Sequence, residues 1–479
     1  MTSAARLVLL CGATVLAFFA GGYFDEPRAW AGLIAWALVA AALLVVPGAL
    51  PRGRWAWLAL GGLGLMAAWT LLSIGWAPTA GSAYHAGQLV VLYTGVLLAA
   101  AILLRPPAGS WIVEPGLAAG ALVVIGYGVS ERLVPGALHY ARSVSAQGRL
   151  EQPLTYWNAM GELAALGFVV CARIAGDPSR RRQLRAAAAA ASALLGMGLY
   201  ISFSRGALFA CAAGLVALAV AAPRRDQFEG IAVTVGAGAL AALVAAPFKG
   251  VTSLAGALST REREGAVVLG LLPLIMVLAG GLQLYLARRD ASATVRLPSR
   301  APWIAVAAIC AGLALAIALG AKEGSNRRLS SGASRFVTLQ SNRYAYWDVA
   351  LRAFAAEPLH GVGAGGWSVW WLRYRTIDDF AQDAHSLPLQ TLAELGLVGV
   401  ALLAALFAGL ALAAREAHAI APAAAAGPIA ALVTYAAHAP LDWDWQMPAV
   451  TIIALILAGM VLAASAELTA PLRSAAPRG

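Results

Sequence analysis

Charge is what this sequence has least of. Only 12% of its 479 residues are charged, where a soluble domain carries about 25%. So little polar surface cannot cover a soluble fold of this length, and a soluble reading is excluded. Lysine is almost missing: Lys249 and Lys322 are the only two, so the net charge of +11 is carried by arginine. That charge sits in short segments between apolar runs rather than on one basic face, which argues against a nucleic-acid partner. Four cysteines, Cys11, Cys171, Cys211 and Cys310, all fall inside apolar runs. Their spacing suits neither a disulfide framework nor a zinc site, so they read as small core residues. No dense cluster of Asp, Glu and His appears outside the apolar runs, which agrees with chemistry that needs no metal or other cofactor. No internal repeat is evident.

What is present is apolar length. Hydrophobic residues make up 61% of the chain and the mean hydropathy is +0.75. Fourteen candidate spans lie near 5–22, 29–48, 55–76, 84–104, 112–134, 157–175, 185–203, 206–222, 228–246, 266–287, 302–320, 395–414, 420–438 and 446–466. Runs of about 18 residues or more are long enough to cross ~30 Å of hydrocarbon. The first run can itself start insertion, so no cleavable signal peptide is needed. The fold expected is all-α: a polytopic transmembrane bundle of about 12 to 14 spans, with a long extracytoplasmic helical loop between late spans. Residues 1–320 would form an N-terminal bundle of about 11 spans, 321–394 the loop, and 395–479 about three further spans with a short cytoplasmic tail.

Loop charge sets an orientation. With the N-terminus inside, the inner loops hold Arg52, Arg54, Arg180, Arg181, Arg182, Arg185, Arg224, Arg225, Arg288, Arg289, Arg296 and Arg300, and the tail adds Arg473 and Arg478. Both termini are then cytoplasmic, and 135–156, 247–265, 321–394 and 438–446 lie outside. The third of these is basic, with Lys322, Arg327, Arg328, Arg335, Arg343, Arg352, Arg373 and Arg375. Long loops translocate regardless of charge, so this fits either an ordinary loop or an anion site.

Within that loop, Ser341 or Asn342 is placed to cap a helix from Arg343 to about Ala356. Tyr344, Trp347, Leu351 and Phe354 recur at three- and four-residue steps, an apolar stripe for the membrane surface or the bundle. Glu357-Pro358 ends it, and a turn with Gly361, Gly363, Gly365 and Gly366 follows. Trp367 to Tyr374 reads as interfacial, and Phe380 to Leu395 as a helix entering the next span.

Five groups of residues carry candidate chemistry. His385-Ser386 precedes Gly396-Leu397-Val398-Gly399 by nine residues. An imidazole at a membrane surface is either a structural interface residue or a general base. Arg205, in Ser204-Arg205-Gly206, stands at a span end, where it either snorkels to headgroups or faces a partner. Arg343, in Asn342-Arg343-Tyr344 with Trp347 beyond, offers a planar fork suited to phosphate oxygens, or is a solvated surface residue. Gly148-Arg149-Leu150, Pro153 and Tyr156-Trp157-Asn158 precede another span. His438, Asp442, Trp443, Asp444 and Trp445 fill the last loop, where the carboxylates would orient a sugar or base, or merely solvate a turn. Gly361 to Gly366 has the composition of a phosphate cradle but no strand before it.

Taken together, Arg343-Tyr344-Ala345-Tyr346-Trp347, Pro358-Leu359-His360-Gly361-Val362-Gly363, Ala384-His385-Ser386 and Glu394-Leu395-Gly396-Leu397-Val398-Gly399 resemble the O-antigen ligase and polymerase superfamily of bacterial envelope enzymes. Ser204-Arg205-Gly206 also matches, and the resemblance runs from about Leu150 to Leu406. It implies glycosyl transfer on the outer face of the cytoplasmic membrane, metal-independent and inverting. The donor would be a glycan on a polyprenyl pyrophosphate, and the acceptor a lipid-core sugar, a growing glycan or a protein hydroxyl. By similarity, Arg205 and Arg343 would hold the pyrophosphate and His385 would activate the acceptor. Arg149, Tyr156, Asn158, Tyr344, Trp347, Gly363, Ser386 and Asp442 are the further candidates for substrate contact. Ligases of this type are usually described with twelve spans, so fourteen leaves the span count or the subtype open. A transporter of lipid-linked sugar is the reading from another class. It is disfavoured because the spans are nearly free of charge and polar residues collect at their ends. A structural or assembly protein is a third reading, and it leaves the Arg-His ensemble unexplained.

Overall fold

The computed structural model describes residues 2–105, 110–289, 293–323 and 341–465. Arg327, Arg328 and Arg335 of the expected loop, and Arg473 and Arg478 of the tail, lie outside the described residues.

The described residues hold helices and no strand. In chain order they are α1 (Thr2–Ala17), α2 (Asp25–Val45), α3 (Arg54–Leu72), α4 (Ala80–Leu103), α5 (Ser110–Leu133), α6 (Trp157–Gly176), α7 (Arg182–Ile201), α8 (Arg205–Ala221) and α9 (Arg225–Ala245). There follow α10 (Lys249–Thr252), α11 (Leu258–Leu286), α12 (Ala301–Glu323), α13 (Arg343–Ala356), α14 (Gly366–Tyr374), α15 (Leu387–Ile420), α16 (Pro422–His438) and α17 (Pro448–Ser465). Each apolar run read from the sequence coincides with one of them. Among the described residues ten helices are long and apolar enough to cross a membrane, and α1, α8 and part of α12 are shorter apolar helices. The chain is a polytopic helical membrane protein.

Two helices form the inside of the bundle. α6 is buried along its whole length after Trp157, packed among α5, α7, α8, α9 and α16. α17 is buried almost throughout, against α1, α4, α15 and α16. Their small residues let neighbours approach closely, the usual basis of packing between membrane helices. Leucines and valines such as Leu44, Leu243 and Val277 point outward from peripheral helices, as a lipid-facing surface requires.

The segment between α12 and α15 departs from its sequence reading in three places. α13 runs over the expected residues, and Ser341 Oγ accepts the Arg343 N–H at 3.3 Å, while Asn342 Nδ2 instead donates to Asp379 Oδ2 at 2.8 Å. Its buried face is Tyr346, Val349, Ala350 and Ala353, so the expected stripe is divided: Trp347 packs partly buried against this core, while Leu351 is 50% exposed. α14 is not simply interfacial: Trp367 and Trp371 are fully buried and stack at 5.6 Å beneath Tyr346. Aromatic area drives this small core, which closes the segment on itself. Finally, 380–386 is not helical, and α15 begins only at Leu387. Gln390 Oε1 takes the Ala384 N–H at 2.5 Å, which competes with extending the helix backwards.

The glycine motifs interlock. Leu397 and Val398 N–H donate to Pro358 and Leu359 carbonyls, while Val362 and Gly363 N–H donate to Ala393 and Glu394 carbonyls. This is possible because α15 breaks at Gly396, whose φ is +63° and ψ −160°. A Cβ there would sit 2.4 Å from Leu359 O, and one on Gly361 (φ +70°) 2.3 Å from the Glu394 carbonyl carbon. Only glycine takes such backbone cheaply. Gly396→Ala is therefore expected to lower stability by roughly 2 kcal/mol or more, read as a lower thermal midpoint of the detergent-solubilised chain. Gly236→Ala in α9, where a Cβ meets nothing within 4 Å, should be neutral or stabilising by up to about 1 kcal/mol. A Gly396→Ala chain as stable as wild type would contradict the latch.

Candidate active site

Asp442 lies between α16 and α17 and is 1% exposed. Its carboxylate accepts from three distant parts of the chain. Arg343 Nη2, at the start of α13, donates to Oδ2 at 2.5 Å. The Tyr156 hydroxyl, just before α6, donates to Oδ1 at 2.7 Å. His385 Nδ1 stands 3.1 Å from the same Oδ1, and the Trp443 N–H is 2.9 Å from it. Asn158 Nδ2 in turn donates to Tyr156 Oη at 2.7 Å. A carboxylate only accepts, so the neutral imidazole keeps its hydrogen on Nδ1 and its lone pair on Nε2.

Two aromatic rings hold the His385 imidazole in place. Tyr346 stacks on it at 5.2 Å and 24°, and Trp443 meets it edge-on at 5.9 Å and 77°. Its φ of +52° lies in the left-handed region, which costs a non-glycine residue about 1–3 kcal/mol and recurs at functional sites. Flanking bonds fix that backbone: the Ala384 N–H on Gln390 and the Leu387 N–H on the Ala439 carbonyl at 2.9 Å.

Burial would raise the Asp442 carboxyl, but Arg343 and His385 outweigh it and hold it well below the usual carboxylate range. Burial opposes the Arg343 cation, and Asp442 and Tyr156 more than restore it. Burial and then the Asp442 charge push the Tyr156 phenol up. Arg149 is lowered to about 10, by burial first and also by the like charge of Arg343. The result is a carboxylate fixed as an anion, with guanidinium groups close by.

The sequence candidates divide accordingly. Arg343, Tyr156, Asn158, His385 and Asp442 come together. Ser386 follows His385, is buried, and stands immediately before α15. Arg149 lies over the Trp157 ring at 3.7 Å and donates to the Ala146 and Ser145 carbonyls. Arg205 is the first residue of α8, whose next residue, Gly206, rests on His438 and Leu441 of the Asp442 loop. Tyr344 and Trp347 pair with each other at 5.3 Å, and Trp347 packs partly buried against the aromatic core around Tyr346. Gly363 is packed against Ala77, its N–H on Glu394 O at 2.9 Å, away from Asp442. The four cysteines are unpaired.

Tyr346, named only within the Arg343–Trp347 motif, and Asp383 are not among the site candidates read from the sequence. Tyr346 stands three residues after Arg343, the helical spacing that could have flagged it. The Asp383 carboxyl is pushed up to about 6 by burial, with Asp442 adding to this and His385, Arg28 and Gln446 opposing it. Because its folded value exceeds the unfolded one near 3.9, stability present at about pH 4 is lost as pH rises through about 6. Asp383→Asn should therefore raise the thermal midpoint relative to wild type at pH 8 and not at pH 4. Equal effects at both would contradict this.

No curated protein matches the chain. Residues 248–404, about a third of the length, match the family model described as O-antigen ligase. The matched stretch contains Arg343, Gly363, His385 and Ser386, while Arg149, Tyr156, Asn158, Arg205 and Asp442 lie outside it. That match, set in a polytopic helical membrane bundle, supports a place in the O-antigen ligase superfamily.

Proposed function

We propose that this enzyme transfers a glycan from a polyprenyl pyrophosphate to an acceptor hydroxyl, with inversion and without a metal, and that His385 is the general base. The observation that carries this is the single buried carboxylate, Asp442, shared by Arg343 and His385. An imidazole oriented by a carboxylate through Nδ1 presents Nε2 as a base, the arrangement hydrolases use to activate a hydroxyl. His385 Nε2 takes the acceptor proton as the acceptor oxygen bonds to the anomeric carbon. The bond from that carbon to the pyrophosphate oxygen breaks, and the lipid pyrophosphate leaves with the electron pair. Arg343 has further N–H donors beyond the one on Asp442, and Arg205 stands at the same end of the bundle. Together they offset the negative charge that develops on the leaving group. Arg149, Tyr156, Asn158, Tyr344, Trp347, Gly363, Ser386 and Asp442 are proposed as substrate contacts or their supports. Of these, the geometry favours supporting roles for Asp442, Tyr156 and Gly363.

The site is proposed to face outward from the bacterial cytoplasmic membrane, with both termini inside, on the arginine bias of the other loops. A lipid-core sugar, a growing glycan and a protein hydroxyl are the three acceptor classes.

Reconstitution with a polyprenyl-pyrophosphate glycan, each acceptor class and EDTA tests this reading. His385→Ala and Arg343→Ala should fold and lose at least about 100-fold in transfer, and Arg343→Lys should not restore it. Full activity in either alanine variant would sink the assignment. Movement of donor across the bilayer without bond formation would support a transporter instead. In cells, Phe380→Cys, at a position 76% exposed, should react with a membrane-impermeant maleimide added outside. Reaction only after lysis would reverse the orientation.

A further inference from the structure

Beside the Asp442 site lies a second polar cluster that the proposed chemistry does not use. His438 ends α16, Asp444 opens the turn Asp444–Gln446, and Glu162 stands in the second turn of α6. All three are fully buried. His438 Nδ1 is hydrogen-bonded to Asp444 Oδ2 and lies 3.8 Å from Glu162 Oε2. Among the described residues, both Glu162 oxygens, Asp444 Oδ1 and His438 Nε2 find no hydrogen-bond partner. Three ionisable groups among apolar helices are costly, and such groups are retained where they fix a specific arrangement.

What they fix is the loop that carries Asp442. The chain leaves α16 at His438, and the Leu441 N–H returns to the His438 carbonyl at 2.8 Å. The Asp444 carbonyl accepts from Thr451 Oγ1 at 2.7 Å. Asp444 is thus tied to α17 by its backbone and to α16 by its side chain, with Asp442 between the two anchors. Ala439, next to His438, receives the Leu387 N–H at 2.9 Å, two residues beyond His385. A Cβ on Gly206 would lie 2.9 Å from His438 Nε2, so the first turn of α8, which begins with Arg205, rests on the imidazole. The His438 side chain therefore touches the supports of Asp442 and Arg205, and the backbone of the next residue holds the segment after His385.

We propose that His438, clamped by Asp444 and faced by Glu162, is a positioning residue that sets the 439–447 loop so that Asp442 reaches Arg343 and His385 together. The activity part of its test rests on the proposed transfer reaction, and the structural part does not. The full chain in lipid nanodiscs is followed by amide hydrogen exchange and by transfer rates. His438→Ala should speed exchange at Leu387 and 439–447 by at least about tenfold while leaving the rest of α6 protected. It should lower kcat about 100-fold with the donor KM changed by less than about threefold. His438→Asn, which keeps an N–H donor near the Nδ1 position, should restore most of the protection and at least about a tenth of kcat. In an Asp442→Asn background, His438→Ala should cost less than about threefold more, because what it places is already lost.

Unchanged exchange at Leu387 and 439–447 in His438→Ala would overturn the proposal. So would a full second loss of activity in the Asp442→Asn background. If His438→Ala does not give a monodisperse chain, Asp444→Asn, which has the same outline, replaces it in both arms, with about tenfold smaller effects expected and the same overturning results. A wild-type chain that transfers nothing defeats the proposed function and leaves the exchange arm to decide the role of His438.

Discussion

Everything at the site hangs on one buried carboxylate. Asp442 takes a guanidinium on one oxygen and a phenol and an imidazole on the other. A carboxylate so buried is costly unless it is paired, and breaking a buried pair leaves an uncompensated charge. That constraint brings together the start of α13, the start of α6 and the residues before α15, which the chain keeps far apart. A loop helix with its own aromatic core is thereby docked on the membrane bundle, and a guanidinium and an imidazole are held side by side on one carboxylate.

The same constraint gives meaning to features that look unrelated. The left-handed backbone of His385 points its ring at Asp442 while Tyr346 stacks behind it. The break at Gly396 lets the 358–363 turn lock into α15, which fixes the height of α15 and hence of the residues before it. The motif residues that resemble the superfamily thus divide into two kinds. Arg343 and His385 reach Asp442, whereas Gly361, Gly363 and Gly396 make a backbone latch that carries no chemistry of its own.

Much of the bundle was legible in the sequence because the bilayer leaves few options. A backbone that must satisfy its own hydrogen bonds, written in long apolar runs, can only be helical. The extent of α13 was legible too, from Ser341 at one end and Glu357-Pro358 at the other. Less legible was whatever depends on distant partners. Trp367 and Trp371 have an interfacial pattern, yet Tyr346 and the 380–386 segment cover them. Asp442 read as one carboxylate in a short aromatic loop, because its partners lie 99, 57 and 286 residues away. Periodicity reports local faces and is silent on such pairings. His438 and Asp444 were visible as residue types, but their burial against Glu162 is a fact of packing alone.

The central claim, that Asp442 orients His385 as a base, is tested most directly by the tautomer of one imidazole. Nitrogen-15 NMR of histidine-labelled chain, with the His385 signals assigned by their loss in His385→Gln, reports which ring nitrogen carries the hydrogen. At a pH where His385 is neutral, the expected result is a hydrogen on Nδ1 in wild type, with that preference lost in Asp442→Asn. A hydrogen on Nε2 in the wild-type chain would contradict the account.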